Sequence, residues 1–426
     1  MMTDKMLDAA GQSQRVKDFF LARQPILDRK QGLVAYELLF RSAAIDSANV
    51  TDDLAATASV IAHAAELGLE NVIGDSLGFV NVDAAVLMSD FVNFLPPDKI
   101  ILEILETVTV TPALIQRVAK LTEAGFSFAL DDVVANSVDV QKLLPLVNTI
   151  KIDVMDMDSA TLARLANHFM QAGKTLLAEK VETVERFQEC LDLGFHYFQG
   201  YYFARPGILS GKKLSPSQLT IMQLMALIIT DAETREIEAC IKQDVSLGLT
   251  LLRLANTPAF GLSQRIDSLG QALILLGRRQ LQRWLQILLY TDRGKGRGFM
   301  SPLLILATTR GKLLELIAEK IYPGQRNVAD IAFTVGIMSL MDTLFDSSME
   351  KILEQISVAD SVSDALLQRN GLYGDMLKLV EYIERIEEAG PLLVPMLHKL
   401  RLSTEDLYQL ELAAFEWSDT ISRAAG

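Results

Sequence analysis

Short apolar runs alternate with longer amphipathic stretches from about residue 20 to 205. That rhythm predicts repeating strand and helix units. "FFLARQPIL" and "GLVAYELLF", separated by the polar "DRKQ", read as a hairpin. "LGFVNV", "KIILEIL", "FSFAL", "NTIKI", "TLLAEKV" and "FHYFQGYYF" follow, interleaved with helical stretches such as "TPALIQRVAKLTEAG" and "DSATLARLANHFMQAG". The last two close on Gly125 and Gly173, where helix C-termini favour glycine. Eight strands in so short a stretch predict a closed (β/α)8 TIM-like barrel. Beyond "ARPGILSGKKLSPS" (204–217), strand-like runs nearly vanish and helical periodicity continues to the end. Leu219, Met222, Leu224, Met225, Leu227 and Ile228 open that half on a strongly apolar helix. The predicted organisation is an extension (1–19), a barrel (20–206), a linker (207–217) and an all-helical domain (218–426).

Polar residues interrupt the strands at regular places. Glu103, Asp131, Lys151, Glu179 and Gln199 lie at or near strand ends, separated by 28, 20, 28 and 20 residues. In a (β/α)8 barrel the C-terminal strand ends converge on one face, so residues far apart in sequence meet there. Acidic residues at such junctions also serve as helix caps, which is the purely structural alternative. Glu37 and Glu103 fit that alternative poorly, because they lie inside apolar runs and a buried carboxylate needs a partner. Asp131 and Asp132 in "FSFALDDVV" raise a related question, since adjacent like charges after a buried strand are costly unless a cation holds them.

Glu37, Asn81, Glu103, Asp131, Asp132, Lys151, Asp153, Glu179, Glu182 and Gln199 together form an oxygen-rich set with no histidine or cysteine. Such donors suit hard divalent cations such as Mg2+ or Mn2+, not zinc. Two adjacent aspartates can bridge a pair of ions, and paired ions activate water toward a phosphodiester. Arg41 and Lys151 could hold the phosphate.

Composition narrows the partners. A net charge of −14 argues against a nucleic-acid polymer. Two cysteines, Cys190 and Cys240, with no short spacing support neither a disulfide framework nor a thiolate zinc site. The mixed charges of the first twenty residues do not form a secretory signal. The apolar "LTIMQLMALIIT" spans about a dozen residues against the roughly 20 of a membrane helix. The expectation is a soluble cytoplasmic protein with no membrane partner.

In order, "YELLFR" (36–41), "FVNV" (79–82), "ILEILET" (101–107), "ALDD" (129–132), "IKID" (150–153), "AEKVE" (178–182) and "FQGYYFARP" (198–206) resemble the motifs of the EAL domain. That family comprises bacterial barrels that bind cyclic di-GMP and, when competent, open it to linear pGpG. The resemblance implies Glu37, Asn81, Glu103 and Asp131 as metal ligands, with Asp132 reaching a second metal. It implies Glu179 as a metal-linked group or general base and Lys151 as the group orienting the attacking water. Arg41, Asp153 and Gln199 would contact the nucleotide, and Glu106 and Glu182 would brace loops around the site.

The chain departs from the family at three places. Leu38 stands in the signature tripeptide where the family has alanine. Val133-Val134-Ala135-Asn136 replaces a glycine-containing loop, and Lys180 replaces the glycine of "AEGVE". The implied metal inventory is complete while the loop beside it is altered. Two readings follow: a nucleotide and metal receptor with weak or no hydrolysis, or an active metal-dependent phosphodiesterase. A third, an unrelated barrel enzyme acting on another phosphorylated small molecule, has to account for seven ordered motifs.

The stretch 244–285, with "LLRLANTPAFG", Ile266, "SLGQALILLG" and "RRQLQRW", resembles the HDOD domain, so the whole chain looks like an EAL-HDOD signalling protein. HDOD modules are similar in fold to HD phosphohydrolases, whose site needs several His and Asp ligands. The second half holds one histidine, His398, and no His-Asp dipeptide. This half is therefore expected to be non-catalytic and to engage an unidentified protein partner, with homodimerisation left open. "DRGKGRG" (292–298) reads as a loop between helices, since no strand precedes it, and Asp342 in "GIMSLMDTLFDSSME" reads as structural.

Overall fold

In the computed structural model we describe residues 19–42, 70–200, 216–229, 232–244, 247–248, 251–252, 268–290, 302–345, 347–356 and 358–425. The 1–19 extension, most of the 204–217 joint, the "LLRLANTPAFG" turn with Ile266, and "DRGKGRG" lie largely or wholly outside them. The described residues form two compact units. One contains the barrel together with Leu379–Glu416, and the other contains the helical region to Lys378 together with residues from Trp417 onward. Sequence places one linear division near 206–217; packing adds residues 379–416 to the barrel's unit.

The eight apolar runs are the eight strands of a closed barrel, in sequence order. These are β1 (Phe19–Asp28), β2 (Leu33–Ser42), β3 (Leu77–Val82), β4 (Ile100–Ile104), β5 (Ser127–Leu130), β6 (Thr149–Asp153), β7 (Thr175–Glu179) and β8 (Tyr197–Phe198). β1 runs antiparallel to both of its neighbours, β2 and β8, while β2 through β8 pair in parallel. The parallel strands read as near-continuous apolar runs because both of their faces are covered.

Strand alternation separates two cores. Val80, Val82, Leu102, Ile104, Phe128, Leu130, Ile150, Ile152, Leu176 and Ala178 belong to the large cluster that includes the helices. Ile26, Ala35, Phe79, Ala129 and Leu177 form a small second cluster, with Ile101 and Tyr197 against it. Two residues further along the same face of each strand come Glu37, Asn81, Glu103, Asp131, Glu179 and Gln199. An apolar layer thus floors a polar one.

The intervening helices are capped by residues outside the candidate set. Thr111 caps Pro112–Glu123, Ser137 caps Val138–Leu143, Asp158 caps Ser159–Gln171 and Thr183 caps Val184–Asp192, each accepting a main-chain N–H. Gly125 and Gly173 follow their helices with φ of 100° and 73°. Glu103, Asp131 and Glu179 therefore do not serve as caps.

Residues 379–416 contribute to the first unit through Tyr408 and Leu412, which pack on its main core. Arg23 of β1 lies between the rings of Tyr36 and Phe415, 4.3 and 4.0 Å from their centroids, and donates to the Val72 carbonyl at 2.6 Å.

In the second unit the helices Pro302–Ile321 and Arg326–Met338 cross closely because Gly311 and Gly336 face each other. A Cβ on Gly336 would lie 2.7 Å from the Gly311 Cα and 2.6 Å from the Arg310 carbonyl oxygen. The Tyr290 hydroxyl donates to the Ile337 carbonyl, and Thr308 bonds Ser418 at 2.6 Å. Among the described residues one stretch, Arg326–Phe345, is long and apolar enough to cross a membrane; 56% of its window is buried, as in a core helix. Asp342 binds its neighbour Thr343 through main chain and hydroxyl. His398 is exposed.

Candidate functional site

The floor of the site is laid by register. Gln24 is opposite Glu37 across the β1–β2 hairpin, Asn81 is beside Glu103, and Asp153 is beside Glu179. Main-chain bonds continue past the strand ends and hold the loops: Asp131 N–H donates to Ile104, Val133 to Lys151, Val154 to Glu179 and Val181 to Gln199. At Gly200, φ is 146° and a Cβ would fall 2.3 Å from the Val181 nitrogen, so glycine alone allows the β7 and β8 ends to approach.

Lys151, fully buried, is the hub of the inner cluster. Its Nζ lies 2.7 Å from Glu179, 2.9 Å from Glu103, 2.9 Å from Asp131 and 3.4 Å from Glu37. Glu37 is held further by Asn81, which donates at 3.1 Å, and by Gln199, which donates at 2.6 Å and also reaches Gln24 at 2.8 Å.

One ammonium does not balance four buried carboxyl groups, and the protons redistribute accordingly. Burial and the Glu37 charge hold Glu103 well above the usual carboxylate range. Burial likewise raises Asp131, and it pushes Glu179 up to about 8 against the pull of Lys151. Burial would raise Glu37 too, but Lys151, Gln199 and Asn81 outweigh it and the group is lowered. For Lys151, burial lowers the ammonium and the surrounding carboxylates more than reverse that.

A second, outer pair has its own cation. Lys180 donates to Asp153 Oδ2 at 2.5 Å and lies 3.8 Å from Asp132 Oδ1, while the Met155 N–H donates to Asp153 Oδ1 at 2.9 Å. Burial is the largest single influence on the Lys180 ammonium and lowers it, but the bond to Asp153 and the charges of Asp132, Asp153 and Glu179 together raise it overall. The neighbours Asp131 and Asp132 thus face different ammonium groups. Lys180 and Asp132 both occupy the left-handed region, φ 52° and 45°. That conformation costs a non-glycine residue roughly 1–2 kcal/mol, and a half-exposed ion pair returns about 0–1 kcal/mol. Fold stability therefore does not explain a lysine here.

The donor set fits a hard divalent cation. Among the described residues Asn81 Oδ1, Glu103 Oε2 and Glu179 Oε2 are buried with no hydrogen-bond partner, and every donor is an oxygen. Among the described residues no three acidic, His or Cys side chains already enclose a common cation position; the point the four carboxyls share is taken by the Lys151 ammonium. A bound ion would need that ammonium to give way.

Of the remaining sequence-predicted residues, Glu106 is exposed in the turn after β4 and Glu182 is half-buried just before Thr183. The main chain of Arg41 lies in β2, and its side chain lies outside the described residues. Gln24 was not foreseen. Its signal was present as a polar residue within the apolar "FFLARQPIL". Sequence marks Lys180 as a charged residue in place of the family's glycine, and its reach to Asp132 and Asp153 is a structural finding.

An EAL domain model matches residues 7–206 and an HDOD domain model matches 214–369. The uncharacterized protein YuxH of Bacillus subtilis is 33% identical over 417 residues, covering 95% of this chain and 99% of that protein. The chain belongs to the EAL-HDOD family. The cyclic di-GMP phosphodiesterase CdgJ of Vibrio cholerae is 31% identical over 411 residues, covering 95% of this EAL-HDOD chain and 93% of that protein. Among solved structures, a calcium and cyclic di-GMP complex of Klebsiella pneumoniae BlrP1 is 26% identical, with a TM-score of 0.37, covering 44% of this chain and 55% of that one.

The HDOD half also contains a cavity of about 380 Å³ lined by Arg279, Arg283 and Arg326 opposite Glu315, Glu319 and Asp330. Its three cations meet three anions, so it has no excess charge with which to select a charged ligand.

Proposed function

We propose that the EAL barrel binds cyclic di-GMP together with a divalent cation, Mg2+ or Mn2+, and hydrolyses it slowly or not at all. The HDOD half passes the bound state to a protein partner. The observation that carries this reading is the convergence of Glu37, Glu103, Asp131 and Glu179, from separate strands, on one buried point at the strand ends. Glu37, Asn81, Glu103, Asp131 and Glu179 are the residues that would hold the ion, which would neutralise charge on a phosphodiester oxygen. Asp153, Gln199 and Arg41 are assigned to the nucleotide. Asp132 would reach a second ion in the phosphodiesterase reading alone. Val133-Val134-Ala135-Asn136, in place of the family's glycine-containing loop beside Asp132, supports low turnover.

Active phosphodiesterase chemistry is the second reading, favoured by the name of the Vibrio cholerae relative. Incubating the purified chain with cyclic di-GMP and Mn2+ or Mg2+ separates the two. Metal-dependent binding with little pGpG, lost in Glu37→Ala, is expected. Rapid pGpG formation that Glu37→Ala abolishes supports the enzyme, and failure to bind the nucleotide under any condition refutes both.

A further inference from the structure

Two ammonium groups divide the acidic residues at the barrel rim, and they leave different remainders. Lys151 serves four carboxyl groups, and among the described residues three more buried oxygens that it does not contact, one each on Asn81, Glu103 and Glu179, have no hydrogen-bond partner. The inner cluster is still short of positive charge. Among the described residues Lys180 pairs with Asp132 and Asp153, and the Met155 N–H satisfies the other Asp153 oxygen. The outer pair already has its cation.

A divalent ion held by Asp132 would stand within a few ångströms of the Lys180 ammonium, where like charges repel strongly. We infer that Lys180 is a resident cation for Asp132 and Asp153, so that this barrel takes up a single divalent ion, at the inner carboxylates, and excludes a second. The inference rests on the metal-binding reading above. Glycine would adopt the left-handed backbone at position 180 without strain, so the lysine is present for its ammonium. A site with one divalent ion and one fixed monovalent charge can still bind a phosphodiester, but it lacks the paired ions that activate water between them.

Bound Mn2+ is counted by equilibrium dialysis and elemental analysis of the full chain, and its electron paramagnetic resonance spectrum is recorded. Wild type is expected to hold one Mn2+ with an isolated-ion spectrum. Lys180→Gly and Lys180→Met are each expected to hold two, with spin-coupled signals, and adding Asp132→Asn to Lys180→Gly should return the count to one. Lys180→Gly relieves the left-handed strain, so its thermal melt should match or exceed wild type. Two ions in wild type, or one in both Lys180 variants, overturns the inference while leaving the metal reading intact. No ion in any of the proteins overturns the metal reading and the inference with it.

Discussion

Lys151 Nζ and a Glu179 carboxylate oxygen lie 2.7 Å apart across the neighbouring strands β6 and β7, fully inside the barrel mouth. The pair is the shortest spoke of a four-carboxyl hub. Removing the ammonium leaves those carboxyls buried with no cation, a change that typically costs about 3–5 kcal/mol. Lys151→Met should therefore lower stability to urea by that amount without metal, and saturating Mn2+ should restore most of it. A variant as stable as wild type in chelator would show that the hub contributes nothing to the fold.

Gln199 ties Glu37 to Gln24, and so joins both strands of the hairpin to the end of β8. Gln199→Ala leaves one Glu37 oxygen without its donor. We expect about 1–2 kcal/mol of destabilisation and a tenfold or greater loss of Mn2+ affinity, read by calorimetric titration. Unchanged affinity would mean that Glu37 orients itself without help.

Glu411 is buried in the first unit, with one oxygen lacking a partner among the described residues, and burial holds it well above the usual carboxylate range. The folded state keeps a proton that the unfolded chain has already released above its ordinary value of 4.5. Stability contributed at this site is therefore present at low pH and lost as pH rises from about 4.5 toward the folded pKa. Glu411→Met should be close to wild type at pH 5 and more stable by about 1–3 kcal/mol at pH 8. Denaturation midpoints at the two pH values decide it, and parallel wild-type and variant profiles would contradict the assignment.

Gly336 lets two helices of the HDOD unit touch main chain to main chain. Gly336→Ala would drive a methyl into the Arg310 carbonyl and the Gly311 Cα, with an expected loss of about 1–3 kcal/mol. Near-ultraviolet circular dichroism of Trp284 and Trp417 during a thermal ramp follows that unit. An unshifted transition would show that the crossing can open at no cost.

The eight strands were legible because barrel strands buried on both faces stand out as apolar runs between amphipathic helices. Glu37 and Glu103 were legible for the complementary reason, as charges where only apolar residues belong. Gln24 stayed hidden, because its partner across the hairpin depends on the register set by the Asp28–Gly32 turn. The reach of Lys180 was invisible too, since it spans 27 positions to Asp153 and follows from a left-handed backbone that sequence assigns to glycine. Helical periodicity around 379–416 announced buried faces without saying which neighbour would cover them.

The placement of Phe415 over Arg23 has a consequence for biosynthesis. Segments that complete one packed unit lie far apart along the chain, at Arg23 and Phe415. The ribosome delivers the HDOD helices before the last contacts of the barrel exist, so the barrel cannot reach its finished state during most of synthesis. Any ligand that requires the finished barrel then reports on chains made past Glu416 alone, and products terminated earlier stay silent.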